Sequence, residues 1–131
     1  MNETQPPSSS QTPVPASSTS SDVRTWSVLC HASALSGLFL HALGFVVGPL
    51  TVWLIKRGDS TEIDANGKES LNFQLSMLIY HAIAIILCFV LIGIPILIAL
   101  WIADIVFVII ASVKTSEGQM YRYPFTIRFI S

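Results

Sequence analysis

Between Asn72 and Val113 the chain reads NFQLSMLIYHAIAIILCFVLIGIPILIALWIADIVFVIIASV. Two apolar runs of roughly twenty residues each meet at Gly93-Ile94-Pro95, and about twenty residues of helix cross a bilayer core. Pro95 fits the first turn of the second helix, and Gly93 supplies the bend. The stretch therefore predicts a transmembrane hairpin. Two ionisable side chains interrupt it, His81 in the first arm and Asp104 in the second. At about 1.5 Å rise per residue both lie roughly 17 Å from the turn, near the bilayer midplane.

A second apolar stretch, WSVLCHASALSGLFLHALGFVVGPLTVWLI, runs from Trp26 to Ile55. At about thirty residues it makes a helix of roughly 45 Å, too long for one comfortable span. His41, Gly44 and the Gly48-Pro49 pair sit near its centre, and Pro49 kinks any helix that runs through it. Two short helices joined by a tight turn are favoured, with Ala32, Ser33, Ala34, Ser36 and Gly37 allowing close helix approach. The fold class expected is all-α: a compact bundle of four short transmembrane helices, with a three-span version left open. The segments are placed at about 26–41, 44–56, 71–92 and 95–114.

Composition agrees with membrane residence. The chain is 52% hydrophobic and 11% charged, with a mean hydropathy of +0.65; soluble domains carry roughly twice that share of charge. A net charge of −1 gives no sign of nucleic-acid binding. Past Arg24, the basic residues fall in two places: Lys56, Arg57 and Lys68 in the central loop, Lys114, Arg122 and Arg128 in the C-terminal part. The positive-inside rule puts loop and C-terminus in the cytoplasm.

Residues 1–23 are rich in Pro, Ser and Thr with almost nothing apolar to bury, so they are expected to be disordered. Residues 24–131 form the membrane domain. The central loop KRGDSTEIDANGKES reads as a solvated connector; Asp64 could cap a short helix, while Gly67 argues against a long one. At residues 119–131, Tyr121, Tyr123, Phe125, Ile127 and Phe129 alternate with Arg122, Pro124, Thr126 and Arg128. That period of two predicts an extended amphipathic segment on the membrane surface, its aromatics dipping in, with a partner-docking strand as the alternative.

An ionised residue at mid-bilayer costs at least about 2.5–3.5 kcal/mol, so Asp104 needs a partner, a proton or a protein-facing position. His81 is the expected partner. The pair reads either as a structural clasp or as a proton-responsive pair. His31 and His41 read as capping or headgroup contacts, and Thr51, Ser76 and Ser112 as helix-packing hydroxyls. Cys30 and Cys88 read as small hydrophobes. No nucleophile is aligned with a base, and no phosphate loop or metal-ligand spacing occurs, so neither an enzyme nor a cofactor is expected.

Four separated pieces carry a resemblance: His-Ala-Ser at 31–33, GPLTVWLIKR at 48–57, NGKESLNFQLS at 66–76 and YRYPFTIRFI at 121–130. On these the chain resembles small bacterial membrane proteins with a domain of unknown function, a family distantly similar to the twenty-kilodalton subunit of the chloroplast inner-envelope protein import translocon. The matching residues are His31, Gly48, Pro49, Trp53, Lys56, Glu69, Asn72, Phe73, Gln74, Tyr121, Arg122, Tyr123 and Pro124. The resemblance implies four spans in the inner membrane and a docking or structural face at the cytoplasmic interface, where loop, start of the third helix and C-terminal segment pack together; within that face Glu69 is expected to pair with Arg122. The expected function is a subunit or scaffold of a membrane assembly, related to transport or translocation. The alternative is an oligomeric channel for a proton or small solute that uses His81 and Asp104. Partners are the lipid bilayer and other membrane proteins or further copies of the chain.

Overall fold

The computed structural model describes residues 17–40 and 42–131, with side chains placed for 21–38 and 43–131. His41 lies outside the described residues, as does the expected tail up to residue 16. The described chain is helical with no strand. Helix α1 spans Ser17–Ala32 and passes through a 3₁₀ turn, Ser33–Ser36, into the short α2, Gly37–Leu40. Helix α3 spans Ala42–Lys56, α4 Thr61–Leu87 and α5 Gly93–Ser116. α1 begins at Ser17, inside the stretch expected to be disordered.

The Trp26–Ile55 stretch folds back on itself. α1 and α2 pack on α3, and α1 also packs on α4 and α5. The two arms touch at backbone distance: a Cβ on Gly48 would sit 2.2 Å from the Ser33 carbonyl oxygen. Ser36 Oγ donates to the Gly44 carbonyl at 3.0 Å, tying the arms near their tip. α3 runs through Pro49, which is buried. Cys30 and Cys88 give a second measure of the fold-back. Cys30 Sγ lies 3.9 Å from the Ile63 carbonyl, near the start of α4. Cys88 follows the other end of α4, roughly 37 Å away at 1.5 Å per residue.

α4 corrects the reading of the central loop. Ser60, not Asp64, caps the helix, its side chain accepting from the Glu62 N–H at 3.1 Å. The helix then runs unbroken from Thr61 through Gly67 to Leu87. Asp64 instead accepts from Trp53 Nε1 (2.8 Å) and pairs with Lys68 (2.8 Å), joining α4 to α3. At the far turn the left-handed residue is Leu91, with φ of 63°. Gly93 serves a close approach rather than a bend: a Cβ there would meet the Ala84 carbonyl oxygen at 2.2 Å.

α4 continued to Val90 and α5 are both long and apolar enough to cross a membrane, and their most apolar windows are only 28% and 17% buried within the protein. The helices of a soluble core are mostly buried, so this exposure points to lipid as the neighbour. The described core instead gathers Ala34, Phe73, Met77, Val108, Ala111 and Tyr123, with Leu35, Tyr80, Leu100, Phe107 and Tyr121 against it.

Candidate functional site

Apart from Asp104, the charged residues of the described chain lie in α1, the end of α3, the α3–α4 connection, the first turns of α4, the end of α5 and the tail. These segments meet at one end of the bundle: Lys56 Nζ sits 4.6 Å over the Trp26 ring, and the Arg24 guanidinium lies beside Gly118. At this end residues 119–131 fold back along α4. Glu69 Oε1 accepts the Tyr123 N–H at 2.8 Å. Asn72 Oδ1 accepts the N–H groups of Phe129 and Ile130, and its Nδ2 donates to the Ile130 carbonyl. Ser76 Oγ accepts the Ile127 N–H at 2.8 Å, and Tyr80 donates to the Phe125 carbonyl at 2.6 Å. Glu69, Asn72, Ser76 and Tyr80 recur at helical spacing, so one face of α4 supplies the hydrogen bonds that a sheet neighbour would otherwise supply.

Beneath this clasp lies a buried polar relay. Asn66 Oδ1 only accepts, so His31 Nε2, 3.0 Å away, carries a hydrogen. His31 Nδ1 is then the acceptor for the Tyr123 hydroxyl at 3.0 Å. Burial pushes the Tyr123 hydroxyl well above its ordinary range, so it keeps its proton and donates. Asn66 Oδ1 also accepts from Thr115 at 3.3 Å, and Asn66 Nδ2 donates to the Glu62 carbonyl. α1, α4, α5 and the tail are joined through this relay. The Tyr123 ring stacks on Phe73 at 4.0 Å between centroids, and Phe73 meets Phe107 edge-on.

The second site is a cavity of about 470 Å³ between the hairpins. Its walls include Phe45, Met77, Ile85 and Trp101, and its polar groups are Gln74, His81 and Asp104. Asp104 is 3% exposed, and its Oδ1 accepts from Gln74 Nε2 at 3.0 Å. His81 Nδ1 donates to the Met77 carbonyl at 2.8 Å, within its own helix. His81 and Asp104 thus line one cavity, but no hydrogen bond or ion pair joins them.

The structure sorts the expected face. Trp53, Glu69, Asn72, Phe73, Gln74 and Tyr123 are buried, and Lys56, Tyr121 and Pro124 are half-buried. Most of the expected docking or structural face is therefore internal, and Gln74 belongs to the cavity. Glu69 faces Arg128 at 3.4 Å rather than Arg122, which is exposed. The tail does not lay all its aromatics on a membrane surface, because Tyr123 is in the core while Phe125 is 83% exposed. His31 is buried at the relay, not at a headgroup. Thr51 and Ser112 bond within their own helices, but Ser76 also holds the tail. Asn66, Thr115, Tyr80 and Arg128 were missed; the spacing of polar residues 66, 69, 72, 76 and 80 was the available signal. Among the described residues, no three His, Cys, Asp or Glu side chains are grouped to hold a metal ion.

Residues 22–130 match the magnetosome magnetite crystal formation protein family. The chain belongs to that family. The match takes in the clasp, the relay and the cavity together. It overturns the resemblance to relatives of the chloroplast import subunit. No curated protein and no solved structure matches the chain.

Proposed function

We propose that this magnetosome-family protein is a small integral subunit or scaffold of the membrane in which magnetite crystals form, with no catalytic step of its own. The observation that carries this reading is the reversed distribution of polarity: buried amides and the Glu69 carboxylate at one end, exposed aliphatic side chains along α4 and α5. Both hairpins enter the bilayer, giving four spans, and the basic end faces the cytoplasm by the positive-inside rule. The surface left for partners is the outer side of the tail, where Arg122, Phe125 and Phe129 are exposed.

Intact-complex mass determination after extraction of native membranes in mild detergent tests the scaffold role. A stoichiometric heterologous partner, lost when Phe125 and Phe129 are both changed to Ser, is the expected result. A chain that leaves the membrane in alkaline carbonate, or that never copurifies with a partner, contradicts it.

The shared cavity favours a second reading, an oligomeric path for a proton or small solute lined by His81 and Asp104. Absence of flux at any pH from reconstituted liposomes rules it out; loss of flux in Asp104→Asn supports it.

A further inference from the structure

We infer that the cavity between the hairpins binds a lipid-soluble molecule with a hydroxyl-bearing aromatic head, of the hydroquinone class. Its volume of about 470 Å³ lies within the roughly 300–1,000 Å³ of small-molecule sites, which are apolar with a few placed polar groups. The polar groups here have a defined sense. The Met77 carbonyl takes the hydrogen on His81 Nδ1, so Nε2 of the neutral ring is an acceptor. Asp104 uses Oδ1 on Gln74. Among the described residues neither His81 Nε2 nor Asp104 Oδ2 has a hydrogen-bond partner. A hydroxyl donates to His81, and it can donate to Asp104 as a carboxylate or accept from it as a carboxylic acid.

Other occupants fit less well. A cation finds His81, Asp104 and the neutral amide oxygen of Gln74 among apolar walls, with no third His, Cys, Asp or Glu grouped beside them. A plain acyl chain matches the walls and leaves both cavity-lining acceptors without a donor. Phe45 and Trp101 supply aromatic wall for a flat ring. A shallower depression lined by His81, Leu97, Ile98 and Trp101 adjoins the cavity and shares two of its residues. Ile98 and Trp101 are half exposed on the lipid-facing side of α5, so a hydrocarbon tail has an apolar trough leading outward.

The inference rests on the membrane reading, and membrane flotation of the same preparation reports separately on that. The test uses the full chain in mild detergent and radiolabelled decylhydroquinone kept reduced under argon, with equilibrium dialysis against protein-free micelles. Saturable binding is expected, at least tenfold weaker for the dimethyl ether of the same compound, which has the ring and chain but no donor. His81→Phe is expected to weaken binding at least tenfold with the helical circular dichroism unchanged. Equal binding of the ether to the unaltered protein overturns the inference. So does the absence of saturable uptake, or a phospholipid or second copy that the hydroquinone does not displace.

Discussion

From Ile63 to Met77, α4 carries Asn66, Glu69, Ser70, Asn72, Gln74 and Ser76, and every one of them is buried. From Leu78 onward the same helix carries Ile79, Ile83, Ile85 and Ile86, and all of these are exposed. In a water-soluble helix the two sets would trade places. The first half is surrounded by α1, α3, α5 and the returning tail, which pair with Asn66, Glu69, Asn72, Gln74 and Ser76, while the buried Ser70 hydroxyl has no hydrogen-bond partner among the described residues. The second half has α5 beside it and an apolar surface for lipid. Hydrogen bonds and aromatic stacking hold one half; transfer from water to hydrocarbon holds the other.

The largest expected effect lies in the buried half. Tyr123→Ala removes the stack on Phe73 and the donor to His31, and is expected to cost about 3–5 kcal/mol, as large-to-small changes of buried aromatics do. A melting series in detergent checks this against Phe89→Ala, which is 91% exposed and should stay within about 0.5 kcal/mol. Next comes Ile102→Asp on the exposed face of α5, where insertion of a carboxylate costs about 2.5–3.5 kcal/mol. The checking measurement is the fraction of chain retained in membranes after alkaline wash, with Ser112→Asp as a comparison nearer the polar end.

Asn72→Ala should cost about 1–3 kcal/mol by leaving backbone groups of Phe129 and Ile130 unpaired. Limited proteolysis would show it as faster cleavage between residues 120 and 130. The smallest effect distinguishes the two arginines. Arg128 is 49% exposed at its side chain, so Arg128→Ala is worth less than about 1 kcal/mol, while Arg122→Ala should leave stability unchanged. A larger loss from Arg122→Ala would restore the Glu69–Arg122 pairing.

The hairpin at 88–93 and the fold-back of the Trp26–Ile55 stretch were legible because length and Gly/Pro placement limit what a bilayer-sized apolar run can do. The clasp was not. The alternation in YRYPFTIRF has the period of a surface strand, and periodicity cannot say that the polar side chains of α4 will serve as the neighbouring strand. The central loop was misread for a related reason. Gly67 argues against helix by propensity, but it is where the Trp53 ring rests, and that contact joins residues far apart in sequence. His81 and Asp104 line one cavity without bonding to each other, because a matching count of residues from the turn does not fix rotation about a helix axis. Met77, one turn back along α4, took the hydrogen bond of His81, and Gln74 of α4 took that of Asp104.

The most direct test of the divided helix is photolabelling in native membranes with a diazirine carried on a phospholipid acyl chain, mapped by peptide mass spectrometry. Label is expected on Leu78, Ile83 and Ile86 of α4 and on Ile98, Ile102 and Val106 of α5, all exposed, with residues 63–77 spared. Label spread equally over residues 63–77 and 78–87, or concentrated in the first of these, would contradict it.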